Sequence, residues 1–234
     1  TWPGGVAVAA HRDVAYALVT RTDGLSDERL ILAKELVGKV FGDIPVKILK
    51  TYKGKALKGK RYAPLFTFLP TYKPAHYVVN AEYVTTSDGT GLVHIAPAFG
   101  ADDMEVAKEY DLPVLMTIND EGKFNREVTN WSGLFVKDAD ALIIEELEQR
   151  GLLFKVETYT HSYPFCWRCN TPLLYMARPT WFIRTSQIKD RLVALNQEIN
   201  WIPEHIKNGR FGNWLENNID WALGRNRYWG TPLP

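Results

Sequence analysis

Short runs of apolar residues broken by turn formers fill the first hundred positions. They are Val6 to Ala10, Tyr16 to Thr20, Val46 to Thr51, Tyr77 to Val84 and Gly91 to Ile95. Runs this short, rich in β-branched and aromatic residues and bounded by Gly, Pro, Asn or Asp, predict strands. One helical spacing is expected among them, around Arg29 to Val40. After residue 100 the period lengthens. Ala101 to Tyr110 opens on Asp102 and Asp103 and sets Val106 and Tyr110 a turn apart, which predicts a short helix with its acids at the positive end of the dipole. Residues 137–150 repeat the helical period and stop at Gly151, a helix-ending glycine. The composition then shifts near Leu152 to Glu157, beyond which lie most of the tryptophans, both cysteines and a helical stretch near Ser186 to Glu198. The pattern predicts an α+β chain: a β-barrel-like domain over residues 1–155 and a small extended and helical connector over residues 156–234.

At 234 residues and 46% hydrophobic, the chain can bury a sizeable core as one large or two small domains. The formal charge of +1 excludes a protein that holds nucleic acid by bulk electrostatics. RNA contact would have to come from a local patch, and the most basic one is Lys47 to Arg61, which includes Tyr52. It either meets phosphates or is a solvated strand and turn, and the sequence gives no orientation to decide. No apolar run approaches the length a bilayer needs and no signal-peptide pattern is present, so no membrane is expected. Cys166 and Cys169, three apart, read as a metal or redox pair in a reducing compartment, here the cytoplasm, and not as a disulfide framework. Without an initiating Met, the chain is expected to be a piece of a larger protein.

The densest chemistry lies between Asp88 and Asp103. Gly89-Thr90-Gly91 lets backbone approach a ligand closely. Leu92 to Ile95 reads as a strand that turns at Pro97, and Phe99 and Gly100 lead into the helix, so His94 and Asp103 flank a strand–loop–helix cleft. On residue type alone, Asp102 or Asp103 is a helix cap and His94 a hydrogen-bonded core or rim histidine. No Ser/His/Asp arrangement is legible.

Residues Gly89 to Asp103 resemble the editing domain of the isoleucyl-tRNA synthetases. Two later segments are similar to the stretch by which those enzymes return to their catalytic core: His161 to Cys169 with Thr180 to Ile183, and Asp220 to Pro234. Valyl and leucyl relatives share the Gly-Thr-Gly and the later Asp, but the wording from Val93 to Gly100 and the Cys-Trp-Arg-Cys favour the isoleucyl type. The His-Ile-Gly-His and Lys-Met-Ser-Lys-Ser signatures of ATP activation are absent from the chain, so no aminoacylation is expected of it.

The resemblance implies proofreading after transfer: hydrolysis of mischarged valyl-tRNA(Ile), with the tRNA 3′ end and the remainder of the synthetase as partners. One methylene separates valine from isoleucine, worth about 1–3 kcal/mol, a figure for which these synthetases are themselves the standard illustration. In that frame Asp103 pairs with the substrate α-ammonium and Asp102 caps the helix. His94 forms the wall that rejects isoleucine, and Thr1, Gly89, Thr90, Ala98 and Phe99 line the substrate. Aligned on Pro3, Thr1 is the last threonine of the family's Thr-rich strand; alternatively Trp2 is that strand's own tryptophan. Editing needs no cofactor, since a positioned water aided by a ribose hydroxyl suffices. Cys166 and Cys169 supply half of a four-cysteine zinc site whose other half the family carries beyond Pro234, so the half-site is expected to be empty or weakly filled. His161 is expected to bond backbone instead of metal. The runner-up is a catalytically silent connector that docks tRNA and carries the zinc knuckle within the whole synthetase.

Overall fold

A computed structural model describes residues 2–25, 27–158 and 160–225. It divides into two compact units, Thr1–Ala177 and Arg178–Pro234. The first unit contains, in chain order, β1 (Ala7–Ala10), β2 (Ala15–Arg21), β3 (Arg29–Ala33), α1 (Val37–Phe41), β4 (Val46–Lys53), β5 (Tyr77–Asn80), β6 (Leu92–Ile95), α2 (Ala101–Tyr110) and α3 (Asp140–Gln149). The second contains β7 (Phe182–Ile183), α4 (Lys189–Glu198), α5 (Arg210–Glu216) and β8 (Trp221–Ala222).

Two three-stranded sheets, ordered β5-β1-β6 and β3-β2-β4, carry the first unit. β1 is central, parallel to β5 and antiparallel to β6. The sheets meet at one seam. The buried Tyr16 hydroxyl accepts from the His11 N–H (2.9 Å) and donates to the Gly91 carbonyl (2.7 Å), while the Ala33 N–H donates to the Thr90 carbonyl (2.8 Å). The α+β class is as expected, and its barrel-like part takes the form of two small open sheets with no closed barrel among the described residues. Closure requires a hydrogen-bonded ladder on every strand edge, and among the described residues β4 pairs with β2 alone.

The helix expected over residues 29–40 is also corrected. Arg29–Ala33 pairs antiparallel with β2 as β3, and only Val37–Phe41 is α-helical. Leu32 and Ala33 are buried against β2, and this tertiary burial overrides the local helical spacing. The strand expected from Tyr77 to Val84 stops at Asn80.

β1, β5 and β6 pack on α2 through Val6, Ala9, Val79, Ile95, Val106 and Ala107. A second core gathers Phe66, Phe124 and Trp131 against Ala139, Ile143 and Leu147, one stripe spaced by four along α3. Leu174 and Met176 pack against this second core, and the Ala177 N–H donates to the Ala98 carbonyl at 2.7 Å. For that reason the compact unit runs to Ala177, past the composition change near residue 155.

In the second unit, buried Asn196 organises the turn between α4 and α5. Its Nδ2 donates to the Lys207 carbonyl (2.8 Å) and its Oδ1 accepts from Trp201 Nε1 (2.9 Å). No helix among the described residues is long and apolar enough to cross a membrane.

Candidate functional site

β6 sets His94 opposite Val8 of β1. Beyond it Ala96, Pro97 and Ala98 are buried, and the Phe99 N–H closes a turn on the Ala96 carbonyl (2.9 Å). Gly100 then starts α2 as an extended N-cap. The third helical residue, Asp103, folds its carboxylate back over this turn. Oδ2 accepts from the Ala96 N–H at 2.9 Å and Oδ1 from the Tyr83 hydroxyl at 3.0 Å. A Cβ at Gly100 would stand 3.0 Å from the Asp103 carboxylate, so the residue type at 100 is what admits this strap. The cap expected of Asp102 is not formed: α2 has Gly100 at its N-cap and no side-chain cap bond. Asp102 lies inside the first turn, where its charge complements the dipole without replacing the cap.

Burial pushes the partly buried His94 imidazole below its ordinary range, and the nearby Asp103 carboxylate pulls it the other way. Trp2 stacks on the His94 ring, with centroids 4.5 Å apart and planes 16° from parallel. Burial, with Asp103 adding to it, raises the Tyr83 phenol, so Tyr83 remains a donor to the carboxylate. His94 and Asp103 thus do share one end of β6, the end at Ala96. The arrangement offers a fixed anion, a neutral imidazole backed by an aromatic ring, and no nucleophilic side chain.

The other expected lining residues are placed differently. Gly89 and Gly91 have positive φ (68° and 70°) and sit at the opposite end of β6, about 13 Å along a four-residue strand. A Cβ at Gly91 would meet Ala33 Cβ at 2.5 Å, and the Thr90 carbonyl is bonded to β3, so this loop serves the seam between the sheets. Ala98 is buried and tied to Ala177. Phe99 packs over Gly4 and walls a cavity of about 140 Å³ that Thr117, Phe124, Lys137, Asp140 and Tyr163 also line. Thr1 lies outside the described residues. Tyr83 and the stacking of Trp2 on His94 were not foreseen. Tyr83 stands 20 residues before its partner, past the end of β5 in the run expected to be all strand, and nothing in the sequence marks its bond to Asp103.

Cys166 and Cys169 share one tight turn, closed by Asn170 N–H to the Cys166 carbonyl (2.8 Å) and Cys166 N–H to the Thr171 carbonyl (2.9 Å), with Asn170 left-handed at φ 52°. The Cys169 thiol lies 3.1 Å from Thr171 Oγ1. Hydrogen bonds from Thr171 first, then from Cys166, lower it to about 7. Two convergent thiols suit zinc as half of a tetrahedral set. Among the described residues, no group of three His, Cys, Asp or Glu could complete one. His161 Nδ1 lies 3.0 Å from the Ser162 carbonyl.

Residues 11–234 match the profile of the tRNA synthetases class I (I, L, M and V), and the chain belongs to that family. Over all 234 residues it is 50% identical to the isoleucine–tRNA ligase of Streptomyces avermitilis, 51% to that of Streptomyces coelicolor and 50% to that of Thermus thermophilus. All of this chain is covered in each pairing but 22% of the relative, so it spans about a fifth of their length. A crystal structure of GlLeuRS-CP1 aligns over 68% of this chain and 80% of that one, at 16% identity and a TM-score of 0.47.

Proposed function

We propose that this chain is the proofreading part of an isoleucine–tRNA ligase and hydrolyses the ester of valyl-tRNA(Ile). The observation that carries the reading is the anchored Asp103 carboxylate at the His94 end of β6, a fixed negative charge for a substrate's α-ammonium. Donors from Ala96 and Tyr83 hold it in one orientation, while each oxygen keeps a lone pair for the ligand. With the ammonium held, a water oxygen attacks the ester carbonyl. The carbon–oxygen bond to the ribose breaks, and the ribose hydroxyl leaves with a proton, giving free valine and tRNA. His94, neutral at pH 7, acts as a wall and hydrogen-bonding surface. The zinc knuckle takes no part in these steps; where the second half of its ligand set is present, Cys166 and Cys169 would hold a structural ion.

A second reading has its own support: both Asp103 oxygens already serve contacts within the chain, as they would in a silent docking module. Release of valine from preformed valyl-tRNA(Ile) separates the two. The purified chain should accelerate it over buffer while leaving isoleucyl-tRNA(Ile) largely intact; no acceleration by the chain, or by the whole ligase, overturns the proposal.

A further inference from the structure

Charge is distributed unevenly in this nearly neutral chain. From Ile44 to Ala81 there are eight Lys or Arg and no Asp or Glu, a local charge of +8 against −7 for everything else, given the net +1. Among the described residues only Lys73 of the eight is in an ion pair, with Asp111. Lys53 donates to the Asp13 carbonyl, and Lys50 and Lys58 lie over the rings of Tyr52 and Tyr110 (5.1 and 4.9 Å), held in place without being neutralised. All are exposed.

The backbone organises these charges. Lys47 pairs with Thr20 and Lys50 with Leu18, while Leu49 is the extra residue of a bulge. Residues three apart on a regular strand point to opposite faces. The bulge returns Lys47 and Lys50 to one face, that of Tyr16, Leu18 and Thr20. Past the turn at Gly54, the chain comes back beside the other sheet, where the Val78 N–H donates to the Lys60 carbonyl (2.8 Å) and Arg61 bridges Tyr77. Val78 pairs with Val8, and Val8 with His94. Lys60, Val78, Val8 and His94 therefore occupy one cross-strand row, three strand spacings or about 14 Å from end to end.

We infer that this acid-free track, from Lys47 along β4 and through the turn to Arg61, grips the phosphodiester backbone of an RNA and delivers its 3′ end along that row to His94 and Asp103. The inference rests on the proposed tRNA substrate and adds the surface that holds it. Phosphates recognised by lysines give affinity without base sequence, which suits a module that has to read only the ester at the end of the strand.

The test is binding of the full chain to an unacylated RNA hairpin with a single-stranded CCA 3′ end, followed by fluorescence anisotropy across a salt series. Each phosphate contact on single-stranded RNA adds about 0.7 to the slope of log affinity against log salt. Lys50→Ala/Lys58→Ala/Lys60→Ala should flatten the slope by about 2 and weaken binding about tenfold or more at low salt. The Lys→Arg triple should keep the parent slope. Lys108→Ala/Lys123→Ala/Lys155→Ala removes the same formal charge elsewhere and should change neither. Equal losses in both Ala triples, or none in the first, overturn the inference. Hydrolysis of 3′-valyl-adenosine, too short to reach the track, is read in parallel. The track variant should match the parent there, and a loss on that ester would show that the lysines act on the pocket and also overturn the inference. A parent inactive on every ester that still binds the hairpin through the track defeats the proposed hydrolysis and leaves the RNA surface standing.

Discussion

Asp103→Ala removes two acceptors at once, and the structure sets what each loss costs. The Ala96 N–H has no water to turn to, because Ala96 is fully buried; an orphaned buried donor costs about 1–3 kcal/mol. The Tyr83 hydroxyl is partly buried and is rehydrated in part, adding about 1 kcal/mol. The first unit should thus lose about 2–4 kcal/mol of stability. Loss of the pairing with the substrate ammonium should separately slow valyl-tRNA hydrolysis by about 30- to 1000-fold, from 2–4 kcal/mol at 1.36 per decade. Asp103→Asn separates the two effects. Its amide oxygen can still accept from Ala96 and its amide N–H₂ can donate to the Tyr83 oxygen, so stability should return to within about 1 kcal/mol of the parent while activity stays low. Urea unfolding followed by tryptophan fluorescence reports the first quantity. Valine release under fully folded conditions reports the second. An Asp103→Ala chain as stable as the parent refutes the strap, and one that hydrolyses at the parent rate refutes the role of the charge.

His94→Ala should open the wall and raise hydrolysis of isoleucyl-tRNA(Ile) relative to valyl-tRNA(Ile); an unchanged ratio in paired deacylation assays removes His94 from selectivity. Burial lowers both His94 and His76 from 6.5, so the unfolded chain binds protons that the folded imidazoles refuse. Stability should be intact above pH 6.5 and fall as the pH drops toward the depressed folded values. In thermal melts from pH 8 to 5, a His76→Gln/His94→Gln variant should show a flatter profile. Gly91→Ala forces a methyl to 2.5 Å from Ala33 Cβ at a positive φ, and should lower the unfolding midpoint by the equivalent of about 1–3 kcal/mol. Zinc titrated into the chain should bind weakly through Cys166 and Cys169 and leave on chelation without loss of the β-sheet circular dichroism signal; stoichiometric zinc retained through chelator contradicts the half-site.

Much of the secondary structure was legible because local signals agreed with burial. α2 spans the expected Ala101–Tyr110, since Gly100, the two acids and the Val106 stripe all point the same way. β1, β2, β4 and β6 fall where short apolar runs meet turn residues. β3 was missed because Arg29 to Ala33 is a strand only by virtue of its ladder with β2, a partner that no window of local sequence contains. The α+β class was legible, but the openness of the two sheets was not: alternation predicts strands and is silent on which edges pair. The proximity of His94 and Asp103 was legible from their spacing across one strand and turn, whereas the Tyr83 bond spans 20 residues and the Trp2 stack spans 92, both set by tertiary folding. The contact of Gly89-Thr90-Gly91 with β3 was not legible, because glycine permits close approach of any backbone and the sequence does not say which one comes near.

The seam also governs how such a protein can vary over generations. A methyl group at Gly54 would stand 2.0 Å from the His11 carbonyl oxygen, and one at Gly91 would collide with Ala33, so two of the points where the sheets touch tolerate hydrogen and nothing larger. The outward positions of β4 face solvent and are free to exchange one side chain for another. A lineage carrying this architecture can retune the charge it presents to solvent by point changes along an open edge, while the relative placement of the two sheets, and with it the position of the residue at 94, is inherited as a fixed frame.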